Sequence, residues 1–466
     1  MQYEGFLKLC GFSEDDITKE KPRIDKAFEK AGIGPEDISR GEERVKKYFD
    51  IELPSIRKML GIWIKEFADM TLAKEDGKTV VYPIYPSISQ FGISLMMASE
   101  DLYVTTPEVL IDVVMGAIFD KINPILETAE QNGLGPGLAH CSLLQARLGS
   151  IVKGIAPMPD LTMTTGFYCD QAPKTDELLH ELYGVPNIFI NRSMDPNWDE
   201  WPDITERQVR FFGEEVRNSI KQFGEITGFK LTEEAFREGF RENAKRWFAF
   251  QDIQNLMRNE PQPISQNDLS TLTFYMLISP TRRFIKEGPE ALQLLYKDVK
   301  DRVDRGVGVV EKGAPRITYE LPSFTDPSFT YMIEKELGIS IPTTVITWLT
   351  PRELTRDERF KDRCERIALG MLRRGIFHSA IGRADYYREV AEAWNLDGVI
   401  YNYLFSCRPV CLSAQIVKKY VERELGIPVL ALEYDLYDSR DYSAEQVRTR
   451  VETFAEMLKV RKAAKA

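Results

Sequence analysis

Two stretches decide the fold: PDLTMTTGFYCDQAPKTDELLHELYGVPNIFINRSMD, residues 159–195, and LDGVIYNYLFSCRPVCLSAQIVKKYVERELGIPVLALEYD, residues 396–435. Each opens with an Asp (Asp160, Asp397) and an apolar strand. Each places a cysteine just after that strand, Cys169 or Cys407. A helical stretch follows and closes on Glu-Leu, then Gly-Val-Pro or Gly-Ile-Pro. The glycine suits a helix C-cap, and the proline blocks continuation. A second strand comes next. Further on, ITERQVRFF from Ile204 echoes SAEQVRTRV from Ser443, with Thr205 and Ser443 as N-caps. βαβ units share such punctuation in general. The sharper reading is two similar α/β domains, each presenting one cysteine at a strand's carboxyl end, where open α/β sheets bind ligands.

The same alternation extends outward. Strands are expected at Thr79–Ile84, Asp160–Thr165, Asn187–Asn191, Arg316–Leu321, Thr343–Trp348, Asp397–Tyr403 and Pro428–Tyr434. Helical stretches separate them, which predicts an α/β fold with parallel sheets. Before Thr79 the pattern is helical, with apolar Ile56, Met59, Leu60, Ile62 and Trp63 at helical spacing. Glu260–Ser265, with its two prolines, is the best linker candidate. The expected organisation is an N-terminal helical segment (1–75), a first α/β domain (76–262) and a second (263–466).

Composition bounds the function. At 466 residues the chain is long enough for a sizeable core without disulfide or metal staples. A formal charge of -11 with no basic run argues against nucleic-acid binding. No apolar run approaches the roughly 18 residues of a membrane span. The start, MQYEGFLKLCGFSEDD, has no signal-peptide pattern, so the expected location is cytoplasmic.

In a reducing cytoplasm the six cysteines are not expected to form structural disulfides. Cys141 follows a Gly-Pro-Gly turn and opens a helical pattern, so it joins Cys169 and Cys407 at a helix start. The positive end of a helix favours the thiolate, the form that binds metals. Three thiolates from distant segments suit an iron–sulfur cluster better than zinc, because the chain has no CxxC pair and only three histidines. A [4Fe–4S] cube held by three thiolates leaves one iron open. Cys411, one turn after Cys407, is either a further sulfur near the same site or a packed thiol. Cys10 and Cys364 read as ordinary packed thiols.

MPDLTMTTGFYCDQAPKTDELL, CSLLQARLG and the stretch from DGVIYNYLFSCRPVCLSAQ through ELGIPVLALEYDLYDSRDYSAEQVRTRVETFAEML carry a family resemblance. From about residue 78 onward the chain resembles subunits of the 2-hydroxyacyl-CoA dehydratases and ATP-dependent benzoyl-CoA reductases, and looks like a 2-hydroxyglutaryl-CoA dehydratase D-component. The matching features of the last stretch are Cys407, Gly426-Ile427-Pro428, Glu433, Asp435, Asp438-Ser439-Arg440, Arg448 and Arg450. The resemblance implies two flavodoxin-like domains with helical additions. It implies Cys141, Cys169 and Cys407 as ligands of a [4Fe–4S] cluster. It also implies an acyl-CoA substrate, a paralogous second subunit and an ATP-hydrolysing activator that supplies single low-potential electrons; composition already argues against nucleic acid or membrane as a partner. An [8Fe–9S] double cubane, as in a reductase of small molecules, is the alternative, as is a non-catalytic electron-relay subunit.

One departure concerns substrate. Many dehydratase subunits carry a Pro-x-Glu-Leu type segment near the first strand. Here that region reads VVYPIYPSISQFGISL, with Ser87, Ile88 and Ser89 after Pro86. Tyr82, Tyr85, Ser87 and Ser89 are candidate pocket residues or packing groups. His140 is either a proton donor beside Cys141 or a loop histidine bonded near a helix start. Tyr168, Tyr403 and Ser406 flank the cysteines and are candidates for hydrogen bonds to sulfur. His378 and Ser379 stand where the double-cubane relatives carry extra cysteines. The loop NRSMDPNWDEWPD, with Trp198 and Trp201, is a candidate cover or partner contact.

Overall fold

The computed structural model describes residues 3–83, 89–135, 140–166, 169–192, 204–320, 326–347, 357–374, 379–435, 438, 440 and 444–464. Four helices come first: α1 (Glu4–Leu9), α2 (Glu14–Lys30), α3 (Pro35–Tyr48) and α4 (Pro54–Leu72). Ser13 caps α2 in a reciprocal box with Asp16. Pro35 and Pro54 sit in the first turns of α3 and α4, where a missing N–H costs nothing. Most of α4 is buried, with Ile56, Met59, Leu60, Ile62, Trp63, Ile64 and Phe67 fully so, and it acts as a central rod.

The first sheet contains β1 (Thr79–Pro83), β2 (Leu102–Val104), β3 (Leu161–Thr165) and β4 (Asn187–Ile190). All pairs are parallel and the order is β2-β1-β3-β4, a flavodoxin-like winding. Its helices are α5 (Ser89–Met96), α6 (Pro107–Ile111, continuing as a π-helix to Ile118), α7 (Asn123–Gln131), α8 (Ser142–Val152) and α9 (Gln171–Tyr183). Next come α10 (Glu206–Thr227), α11 (Glu233–Leu256), α12 (Tyr275–Ile278) and α13 (Arg282–Arg305). The second sheet is β5 (Ile317–Tyr319), β6 (Gly398–Tyr403) and β7 (Val429–Glu433), parallel and in that order. Around it lie α14 (Ser328–Tyr331), α15 (Arg363–Leu372), α16 (Ala380–Trp394), α17 (Arg408–Leu425) and α18 (Ala444–Ala463). The fold is therefore α/β with two parallel sheets, as expected.

The two repeats become β3-α9-β4 and β6-α17-β7, and they match in detail. Both helices end on a left-handed glycine, Gly184 at φ 68° and Gly426 at φ 63°. The opening aspartates do the same work. The Asp160 carboxylate accepts the Val80 N–H at 2.7 Å, and that of Asp397 accepts the Arg316 N–H at 2.9 Å. Each is also paired with a lysine, Lys74 or Lys462. A strand-start Asp thus pins its neighbour's register in both sheets.

Three expectations change. β2 is too short for its own pattern to announce it. Thr343–Thr347 is a buried turn, not a strand: Thr347 Oγ1 takes the Thr344 N–H at 3.3 Å, a side chain competing with the ladder. Trp348 lies outside the described residues, as does Ser443. The presumed linker is a buried strap. Gln262 Oε1 accepts from Ile341 N–H and Ser340 Oγ, and its Nε2 donates to Glu334 at 2.7 Å. Ser265 Oγ and the Gln266 N–H reach the same carboxyl. The N-terminal rod also packs beyond this strap. The Trp63 indole donates to the Leu272 carbonyl at 3.0 Å, and Lys65 and Asp69 pair with Glu287 and Arg283 of α13.

Burial pushes the Glu334 carboxyl up to about 7, against the pull of its three donors. Between the ordinary carboxylate value and that point, the folded chain holds a proton that the unfolded chain has released. Its contribution to stability is full in acid and is lost as pH rises through this window. Urea unfolding of Glu334→Gln and parent at about pH 5 and about pH 8 is expected to show a smaller loss for the variant between the two.

Candidate functional site

The three singled-out cysteines occupy equivalent kinds of place. Cys141 is the N-cap of α8 and Cys407 the N-cap of α17, and Cys169 directly precedes the Asp170 N-cap of α9. Cys169 and Cys407 lie just beyond the carboxyl ends of β3 and β6. The geometry brings the three together. The Cys141 thiol feels the charge of both Cys169 and Cys407, and Cys407 feels Cys169. Among the described residues, no three His, Cys, Asp or Glu side chains are gathered tightly enough to ligate a single ion.

Contacts around and beyond these thiols join the first sheet's half of the chain to the second's. Asp170 and Arg408, the residues that follow Cys169 and Cys407, form an ion pair. Gln171 Oε1 accepts the Cys141 N–H at 2.8 Å, and its Nε2 donates to the Ser406 carbonyl at 2.9 Å. Ser142 Oγ donates to Asp435 at 2.5 Å. Arg440 donates to Asp438 and to Glu130 of α7, each at 2.7 Å. Gln171 was not visible as a site residue in the sequence. Its only signal is its place two residues after Cys169.

The expectation that helix starts would favour thiolates is reversed. Burial pushes Cys407 up to about 12, Cys169 above its ordinary value and Cys141 well above it. Neighbouring thiols and Asp435 add to this at Cys141. The opposing donors are few, chiefly the Ala172 N–H on Cys169 Sγ at 3.4 Å. Desolvation outweighs the helix ends here.

His140 Nε2 lies 3.1 Å from Thr175 Oγ1, and burial holds its imidazole down at about 4, with Lys174 contributing. It is neutral around pH 7. Tyr82 is wholly buried: its hydroxyl donates to the Pro157 carbonyl and its ring faces Arg147. Ser406 is buried, and its hydroxyl has no partner among the described residues. Tyr403 and Cys411 are half-buried; the Cys411 N–H bonds to the Cys407 carbonyl at 2.8 Å. Cys10 and Cys364 are buried among apolar side chains, as expected of packed thiols. Ser379 caps α16 through the Gly382 N–H. Tyr85, Ser87, Tyr168, His378, Trp198 and Trp201 lie outside the described residues, as does the side chain of Ser89.

Each half also holds a wholly buried arginine. Arg147 of α8 bonds Glu108 at 3.1 Å, Asp176 at 3.0 Å and the Tyr82 carbonyl at 3.1 Å. Burial pushes Asp176 up to about 7 despite this cation. Arg383 of α16 pairs with Glu320, which also takes the Tyr387 hydroxyl. Neither arginine has any exposed surface. Sequence pattern did not single them out, because a charged residue on a helix is usually a solvated one.

A parallel α/β fold with Cys169 and Cys407 just beyond the carboxyl ends of two strands and Cys141 at a helix start defines a class: winding of the flavodoxin kind with cysteines along one edge. The chain belongs to the family 2-hydroxyglutaryl-CoA dehydratase, D-component, whose model matches residues 104–458. It is 25% identical over 309 residues to (R)-2-hydroxyglutaryl-CoA dehydratase subunit alpha of Acidaminococcus fermentans, covering 65% of this chain and 61% of that one. It is 23% identical to the (R)-2-hydroxyisocaproyl-CoA dehydratase alpha subunit of Clostridioides difficile, over 85% of this chain and 94% of the relative. It is 20% identical to a benzoyl-CoA reductase subunit of Thauera aromatica, over 84% of this chain and 91% of the relative. The family is one of enzyme subunits. No helix among the described residues is long and apolar enough to cross a membrane.

Removing Arg147 would leave Glu108 and Asp176 buried without their cation. Arg147→Met is expected to destabilise the fold by about 3–5 kcal/mol, measured by denaturant unfolding.

Proposed function

We propose that the chain is the iron–sulfur subunit of an acyl-CoA dehydratase or an acyl-CoA ring reductase, and that Cys141, Cys169 and Cys407 hold a [4Fe–4S] cluster. The observation that carries this reading is the meeting of three thiols from three segments. Gln171 bonds both the Cys141 N–H and the carbonyl of Ser406, next to Cys407, so the three cysteine segments are tied at one place. A cube takes one thiolate on each of several irons, so three thiols from three separate segments suit it. When bound, such a cluster supplies single electrons at low potential to an acyl-CoA thioester.

The chain's own residues have separable parts. The three cysteines must give up their protons on loading, which their buried state otherwise favours keeping. Burial also excludes bulk water from the sulfurs. His140, neutral and bonded to Thr175, supplies a hydrogen-bonding nitrogen beside Cys141. Three thiols for four irons leave room for a non-protein ligand. Electrons would come from an ATP-hydrolysing activator, and a paralogous second subunit would complete the enzyme, in keeping with relatives that are themselves named as subunits. The cytoplasm is the compartment that such chemistry suits.

Anaerobic purification with iron and acid-labile sulfide counting tests the reading. About four irons per chain is the expected result, and about eight would favour the double cubane. Cys141→Ala, Cys169→Ala and Cys407→Ala should each lower the iron content. Unchanged iron in all three would sink the assignment.

A further inference from the structure

We infer that Gln171 is the positioning residue that holds the three cysteine segments in register. This rests on the cysteine assignment above and goes beyond it. Gln171 starts α9, two residues after Cys169. Its carboxamide oxygen takes the backbone N–H of Cys141, and its carboxamide nitrogen bonds the carbonyl of Ser406, the residue before Cys407. One residue therefore ties all three segments together. Its orientation is dictated by its partners: an N–H needs the oxygen, and a carbonyl needs the nitrogen.

The side chain is largely buried and its bond to Ser406 wholly so, which makes water a poor substitute there. Its own turn is secured too, since Thr175 Oγ1 donates to the Gln171 carbonyl at 3.0 Å and meets His140 on the other side. The internal repeat shows that this tie is one-sided. Aligning Cys169-Asp170-Gln171 with Cys407-Arg408-Pro409 puts a proline opposite Gln171. Pro409 offers no side-chain donor or acceptor, so the second repeat has no equivalent clamp. The other contacts between the repeats are of a different kind. Asp170 and Arg408 are more exposed and hold one another by charge. Ser142 and Asp435 join the first turn of α8 to the chain just beyond the end of β7. Gln171 carries bonds to both of the other segments through one side chain.

Groups that hydrogen-bond to metal-ligating segments typically change metal affinity by about 10- to 100-fold when lost. The test uses the full-length chain, purified anaerobically and loaded with ferrous iron and sulfide. Gln171→Leu removes both bonds. Gln171→Glu keeps an acceptor for the Cys141 N–H and loses the donor to Ser406. Readouts are the rate of iron release to a chelator, the EPR signal of the dithionite-reduced protein, and circular dichroism as a control for folding. Gln171→Leu is expected to fold, to release iron about 10- to 100-fold faster, and to show an altered EPR signal. Gln171→Glu should fall between it and the parent. A folded variant with the parent's release rate and EPR signal overturns the inference, and if Gln171→Leu does not fold, Gln171→Glu decides alone. Retention of the parent's iron by Cys169→Ala overturns it by a separate route, through the ligand assignment itself.

Discussion

Two parallel sheets turn their carboxyl ends toward a common region, and everything proposed for this chain depends on that meeting. The two repeats meet at the residues that directly follow their equivalent cysteines. Identical charges would then repel. The residues after the two equivalent cysteines have diverged to Asp170 and Arg408, and they attract. Both are partly exposed, so the pair adds little net stability. Its role is to choose the facing arrangement over others, while burial of the apolar core supplies the energy.

Each half also holds charge away from water. Arg147 and Arg383 sit one in each half, each with buried carboxyl partners. Such groups are a poor way to gain stability, since a well-packed apolar set often does as well. They are a good way to allow only one arrangement, because a shifted α8 or α16 would strand a charge. The opening aspartates Asp160 and Asp397 act at the other end of the strands, tying neighbouring backbone N–H groups. Each repeat is thus fixed at both ends of its first strand.

Most of this architecture was legible in residue order. Apolar runs punctuated by Gly184-Val185-Pro186 and Gly426-Ile427-Pro428 located two βαβ units, and the cysteines after β3 and β6 located the edge. What failed did so for physical reasons. Thr343–Thr347 has strand-like side chains, but its hydroxyls bond locally. Glu260–Ser265 has the composition of an exposed connection, yet Gln262 and Ser265 find buried partners in Glu334, Ser340 and Ile341, distant in sequence. The helix-start argument for the thiols was sound locally and lost to desolvation, which depends on what packs around them. Gln171 escaped notice because a glutamine near a helix start is ordinary. Its meaning comes from Cys141 and Ser406, neither of them its neighbour in the chain.

Cys141 caps a helix, α8, that is buried almost end to end and bolted down through Arg147. Neither that helix nor the ties of Gln171 and Ser142 use a sulfur atom. The place where the three cysteine segments meet is thus secured by the polypeptide's own bonds. Small metal-dependent domains fold only as the metal arrives. Here the arrangement is a property of the folded chain itself, in place before anything binds.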